Sequence, residues 1–111
     1  MTRTLLVLLL GSLGVACGSG RQSAPLDGEL KLNAEQRQGQ VLFHKFCHQC
    51  HPHGEAGLGP AINTNPAPLV AVRLQVRAGL GAMPAFPDSL IPDRDLQQLL
   101  AFVDAQREQS K

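Results

Sequence analysis

Two thiols and an imidazole stand close together in the run Cys47-His48-Gln49-Cys50-His51. Cysteines three positions apart approach one another when the backbone is helical or turned. The histidine that follows can then reach over whatever the thiols hold. This Cys-x-x-Cys-His spacing is the pattern that attaches a haem: the thiols bond its two vinyl groups and the imidazole binds its iron. The five residues therefore read as the covalent site of one haem c, with Cys47 and Cys50 as thioether donors and His51 as an iron ligand.

Other chemistries use the same residue types. A thiol-redox Cys-x-x-Cys follows a strand inside a βαβ pattern, and no strand pattern precedes Cys47. A zinc site could draw on Cys47 and Cys50 with His48, His51 or His53, but structural zinc sites usually pair two separated ligand clusters. No second cluster follows His53. A disulfide between Cys47 and Cys50 leaves His51 without a role. His44, His48 and His53 read as surface residues. His44 or His53 could serve as a second axial ligand only if no better donor exists.

The elements that must position these groups are helical. Asn33, followed by Gln36, forms a variant of the capping box. It predicts a helix from Ala34 to about Phe46 that leads straight into the motif. Gly39 interrupts that helix, and a glycine there suits the close crossing of a second helix. Leu69, Val72, Val76 and Leu80 share helical spacing, with Pro66 and Pro68 at the start and Gly79 and Gly81 at the stop. Leu96, Leu99, Leu100 and Val103 follow the same rule in a third helix, opened by Pro92, Asp93 and Asp95. The acidic pair favours the positive end of the helix dipole, and Arg107 and Lys111 favour the negative end.

With 111 residues the chain makes one domain. Only 4% of it is aromatic, so its own core is thin and a large apolar cofactor would supply interior. Ten Lys and Arg against nine Asp and Glu give no electrostatic footprint for nucleic acid.

Gly39, Phe43 and Cys47, spaced by four and leading into the motif, resemble the N-terminal helix of class I cytochromes c. The resemblance covers about residues 33–104. It implies an all-α small cytochrome c fold, three main helices and loops wrapped around one covalently bound haem. It implies that the first and third helices cross at Gly39. Gly57-Leu58-Gly59-Pro60 resembles the segment whose proline carbonyl accepts a hydrogen bond from the haem-ligating histidine, here Pro60 and His51. Gly81-Ala82-Met83-Pro84 resembles the loop that presents a methionine sulfur to the iron. Met83 is the one methionine besides Met1, so the resemblance assigns the axial pair to His51 and Met83. Arg77 stands where a basic residue approaches a haem propionate in similar proteins; a solvated surface arginine reads equally well.

The implied function is one-electron transfer between redox partner proteins whose identities the sequence does not give. The chain is then not an enzyme, because both axial positions are filled. A haem enzyme or gas-sensing domain with a labile sixth ligand is the alternative; a haem-free metal or thiol-redox module is another.

Arg3, the run Leu5 to Leu10 and the small residues up to Ala16 make a secretory leader. The apolar stretch is shorter than the roughly 20 residues that span a bilayer. Cys17 resembles the acylated cysteine of bacterial lipoproteins, although Gly14 replaces the usual large residue three places before it; an ordinary signal peptide cut nearby, with Cys17 discarded or left as a free thiol, is the other reading. The expected organisation is a signal peptide over 1–16, a lipid-anchored flexible linker over 17–32 and the cytochrome c domain over 33–111. The expected location is the periplasmic face of a bacterial membrane, the outer membrane preferred, with the protein a lipid-anchored monomer.

Overall fold

The structure, a computed structural model, describes residues 28–111. The expected leader, Cys17 and most of the expected linker lie outside the described residues. Three α-helices follow in order, α1 (Ala34–Phe46), α2 (Leu69–Ala78) and α3 (Asp93–Gln109), with a short 3-10 turn at Pro52–Gly54. Among the described residues there is no strand, only an isolated bridge between Leu80 and Met83. The all-α expectation holds. No helix among these residues is long and apolar enough to cross a membrane.

The capping box at the start of α1 is complete. Asn33 Oδ1 accepts from the Gln36 N–H, and Gln36 Oε1 accepts from the Asn33 N–H, both at 2.9 Å. Two of the helix's otherwise orphaned donors are thereby satisfied. α1 packs on α3 at Gly39, where a Cβ would lie 1.9 Å from the Gln98 carbonyl oxygen. Only glycine lets the two backbones meet so closely. One turn on, Phe43 meets Phe102 edge to face with ring centroids 5.4 Å apart. Both rings are buried, with Leu42, Leu99 and Val103 around them. Each such side chain stabilises the fold by about 1.5–3 kcal/mol, and the ring geometry adds roughly 0.5–1.5 kcal/mol. Leu30 and Leu32 pack against this cluster, so packed chain begins a few residues before Asn33.

A second cluster joins α2 to α3 through Val76, Ile91, Leu96 and Leu100. Phe46, at the end of α1, touches both clusters. The apolar stripe of α2 is shorter than its spacing suggested. Gly79 takes a positive φ of 71° and ends the helix at Ala78. Leu80 therefore leaves the helical face and is 69% exposed. α3 starts without a side-chain cap of its own; Asp88 Oδ1 accepts the Asp93 N–H at 2.9 Å instead.

Candidate functional site

The motif continues the winding of α1. The Cys47 N–H donates to the Phe43 carbonyl, and the Cys50 and His51 N–H groups donate to the Cys47 carbonyl. These successive turns carry both thiols and the imidazole on one short segment. Both thiols are free and half-buried. Burial, with the neighbouring Cys50 second, pushes the Cys47 thiol up to about 12. A thiol-redox nucleophile needs the opposite shift, toward the thiolate.

The chain then folds back over the motif. Gly54 accepts from the N–H groups of Ile62 and Asn63, and the Gly59 N–H donates to the Cys50 carbonyl at 2.8 Å. This return places the Pro60 carbonyl oxygen 2.8 Å from His51 Nδ1. A carbonyl only accepts, so Nδ1 carries a proton, and in the neutral imidazole the lone pair is then on Nε2. His51 is buried at 8% exposure. A Cβ on Gly59 would stand 2.2 Å from its Cε1 atom, so the ring is wedged against glycine backbone.

Met83 lies in the segment between α2 and α3. Its N–H and carbonyl exchange hydrogen bonds with Leu80 at 2.9 and 3.0 Å. Its side chain is half-buried against the second core cluster. Gln75 Nε2 donates to its sulfur at 3.7 Å. The segment meets the end of α1, just before the motif, through Phe86 and Phe46, whose rings pack edge to face at 6.2 Å.

Arg77 fixes the Met83 segment. Its Nη1 donates to the carbonyls of Phe86 at 3.0 Å and Ile91 at 2.7 Å, and its Nη2 reaches Asp93 at 2.7 Å. The guanidinium is thus neither a solvated surface group nor free to turn elsewhere. It joins α2, the methionine segment and the start of α3. Arg73 also pairs with Asp93, at 2.9 Å. Hydrogen bonding to Arg77 first, then Arg73, holds the Asp93 carboxyl below its usual range.

Two features escaped the sequence reading. Arg107 does more than favour a helix end: it donates to the carbonyls of Ile62 and Ala67 and ties α3 to the loop after the motif. His44, His48 and His53 are not separate surface residues but one cluster, with ligand atoms all within 4.8 Å of one another. Partial burial first, then the charges of His48 and His53, lowers the His44 pKa. Among the described residues this is the one group of metal-ligating side chains so assembled, and neither cysteine belongs to it.

The residues fit a covalent haem. Two free thiols and a buried imidazole sit on one segment, and the thioether sits on another that packs against the end of α1 beside it. Leu58, Leu74 and Leu80, from the motif loop, α2 and the methionine segment, are 79%, 64% and 69% exposed. Large apolar side chains left in water on all three segments suit an apolar cofactor surface.

Comparison with known proteins agrees in kind. Residues 34–103 match the family described as cytochrome c oxidase, cbb3-type, subunit III. The chain is 32% identical over 78 residues to the cytochrome c subunit of 4-cresol dehydrogenase (hydroxylating) from Pseudomonas putida, covering 70% of this chain and 68% of that one. No solved structure gives a significant match.

Proposed function

Because the chain belongs to the cytochrome c family, of the cbb3-type oxidase subunit III kind, and is an electron-transfer protein with covalent haem c, we propose that Cys47 and Cys50 hold that haem and that His51 and Met83 are its axial ligands. When bound, the haem supplies one-electron exchange between ferric and ferrous iron. The chain supplies orientation. The single observation that carries the assignment is the His51–Pro60 hydrogen bond. It fixes the tautomer, aims Nε2 and makes the imidazole a stronger donor. Gly59 closes the space behind the ring.

On the other side, Met83 is the thioether donor. A methionine ligand raises the potential relative to a second histidine. Arg77 pins the segment to α2 and α3, so Met83 is held rather than labile. That rigidity favours an electron carrier over a haem enzyme or gas sensor, whose sixth position must open. The chain is therefore proposed to be a carrier and not itself an enzyme.

Its partners are proposed to be redox proteins. The relative's description as a cytochrome c subunit of a dehydrogenase supports a redox enzyme on one side of the transfer. Residues 1–16 are proposed as a cleaved leader and Cys17 as a lipid-bearing residue. Residues 17–32 would tether the domain of residues 33–111 to the periplasmic face of a bacterial membrane, by preference the outer one. The chemistry of the motif supports export, since haem c is attached outside the bacterial cytoplasm. The lipoprotein-like cleavage region supports the anchor.

The test is expression with the c-type maturation machinery, followed by denaturing electrophoresis with haem staining. Haem should remain on the wild-type chain and be absent from the Cys47→Ser/Cys50→Ser double variant. A colourless wild-type chain, or haem equally retained by the double variant, would overturn the assignment.

A further inference from the structure

The chain has four histidines. His51 is committed to the site above. The other three converge although they come from three different local structures. His44 lies in the last turn of α1, His48 in the turn that follows it, and His53 in the 3-10 turn. His44 and His48 are four residues apart, the spacing that places side chains on one helical face. Their rings are stacked at 4.9 Å with planes 17° apart.

His53 reaches them through an uncommon backbone conformation, φ 53° and ψ 23°. This left-handed region is rarely used by residues other than glycine. It turns the imidazole back, edge-on to His48 at 4.6 Å and to His44 at 6.1 Å. The conformation is secured from the core: Gln106, 1% exposed, donates from Nε2 to the His53 carbonyl at 3.0 Å. The His53 N–H donates to His48 Nδ1 at 3.2 Å.

We propose that His44, His48 and His53 form a binding site for one borderline divalent transition ion, zinc or copper, on the outer side of the motif turn. Imidazole suits these ions. Zinc–nitrogen bonds of about 2.0–2.1 Å put tetrahedral ligands roughly 3.3 Å apart. One ligand atom from each of the three residues already lies within 4.8 Å of the other two, so side-chain rotations that unstack His44 from His48 complete the set, with water in the fourth position. An ion on His48 Nδ1 takes the place of the long hydrogen bond from the His53 backbone N–H.

The site has a consequence for electron transfer. His48 stands between Cys47 and Gln49, and His53 is two residues past His51. A dication held there stabilises the reduced, less positive state of a redox centre on the same segment. This coupling rests on the haem assignment above; the metal site does not.

Zinc titration of untagged holoprotein, in competition with a chromophoric chelator, tests the site. The variants are His44→Gln and His53→Asn, since asparagine tolerates the left-handed backbone. Retained haem content and helix content show that they have folded. One zinc per wild-type chain is expected, with affinity at least tenfold weaker in each variant. Copper titration followed by electron paramagnetic resonance should show nitrogen coupling from imidazoles in the wild type. Wild-type affinity no greater than that of the folded variants would overturn the site. The midpoint potential, read with and without zinc, should rise in the wild type and stay unchanged in His44→Gln. Stoichiometric zinc binding without that rise would overturn the coupling while leaving the site. Absence of haem from the wild type would instead count against the electron-carrier reading.

Discussion

The Nδ1 atom of His51 lies 2.8 Å from the carbonyl oxygen of Pro60, nine residues along the chain. That hydrogen bond decides which nitrogen of the ring can bind a metal. It exists because Gly54 and Gly59 let the loop close over the motif. At Gly54 the backbone takes a positive φ of 79°; at Gly59 the ring and backbone are too close for any side chain.

Gly59→Ala should therefore disturb His51 without removing the thiols. Its Cβ would meet the ring at 2.2 Å, so ring or loop must shift. Haem should stay attached, while stability falls by about 1–3 kcal/mol and the Soret band moves. Denaturant unfolding and absorption spectra check this. An unchanged spectrum and midpoint would show that the close approach has no effect on ligation.

Gly39→Val should disrupt the α1–α3 crossing, since even a Cβ would overlap the Gln98 carbonyl. A loss of roughly 3 kcal/mol is expected, near the upper end for overpacking. The check is the urea midpoint of the holoprotein. A shift worth less than about 0.5 kcal/mol would mean that the helices slide apart freely.

Arg77→Met keeps the aliphatic stem but removes the donors to Phe86, Ile91 and Asp93. The two carbonyls lose charged partners, at a cost of about 2 kcal/mol. The methionine segment should loosen before the whole domain unfolds. Thermal loss of the ferric red-region band should then precede loss of helix circular dichroism. Coincident transitions, as well separated from room temperature as in the wild type, would contradict this role.

The Arg77–Asp93 pair also sets a pH dependence. The Asp93 carboxyl is depressed in the folded state, by Arg77 first and Arg73 second. Its contribution is present above the unfolded carboxylate pKa of about 3.9. It is lost as pH falls through the depressed folded value. Between about pH 5 and pH 2, Asp93→Asn should lose less stability on acidification than the wild type. Parallel urea midpoints in both proteins across that window would contradict the linkage.

Much of this was legible in the sequence because it is local or has a sharp signature. The capping box at Asn33 and the stripe from Leu96 to Val103 follow from spacing and residue type, while the crossing of α1 and α3 at Gly39 is what the family resemblance implies. Spacing puts Leu80 on the α2 stripe, but the stop at Gly79 outweighs it: the helix ends at Ala78 and Leu80 turns out to solvent. Arg77 was unreadable for another reason: its partners are backbone carbonyls nine and fourteen residues away, and carbonyls leave no mark in a sequence. The histidine cluster depends on a left-handed His53, a conformation that residue identity alone does not announce.

Whether His51 and Met83 hold the iron of an electron carrier is read from the ferric absorption spectra of wild type and Met83→Ala. The wild type should show the weak red-region band of methionine-to-iron ligation. That band should be gone in Met83→Ala, with added imidazole or cyanide binding quickly to the opened position. A spectrum identical in the two proteins would place another ligand, or none, where Met83 is assigned.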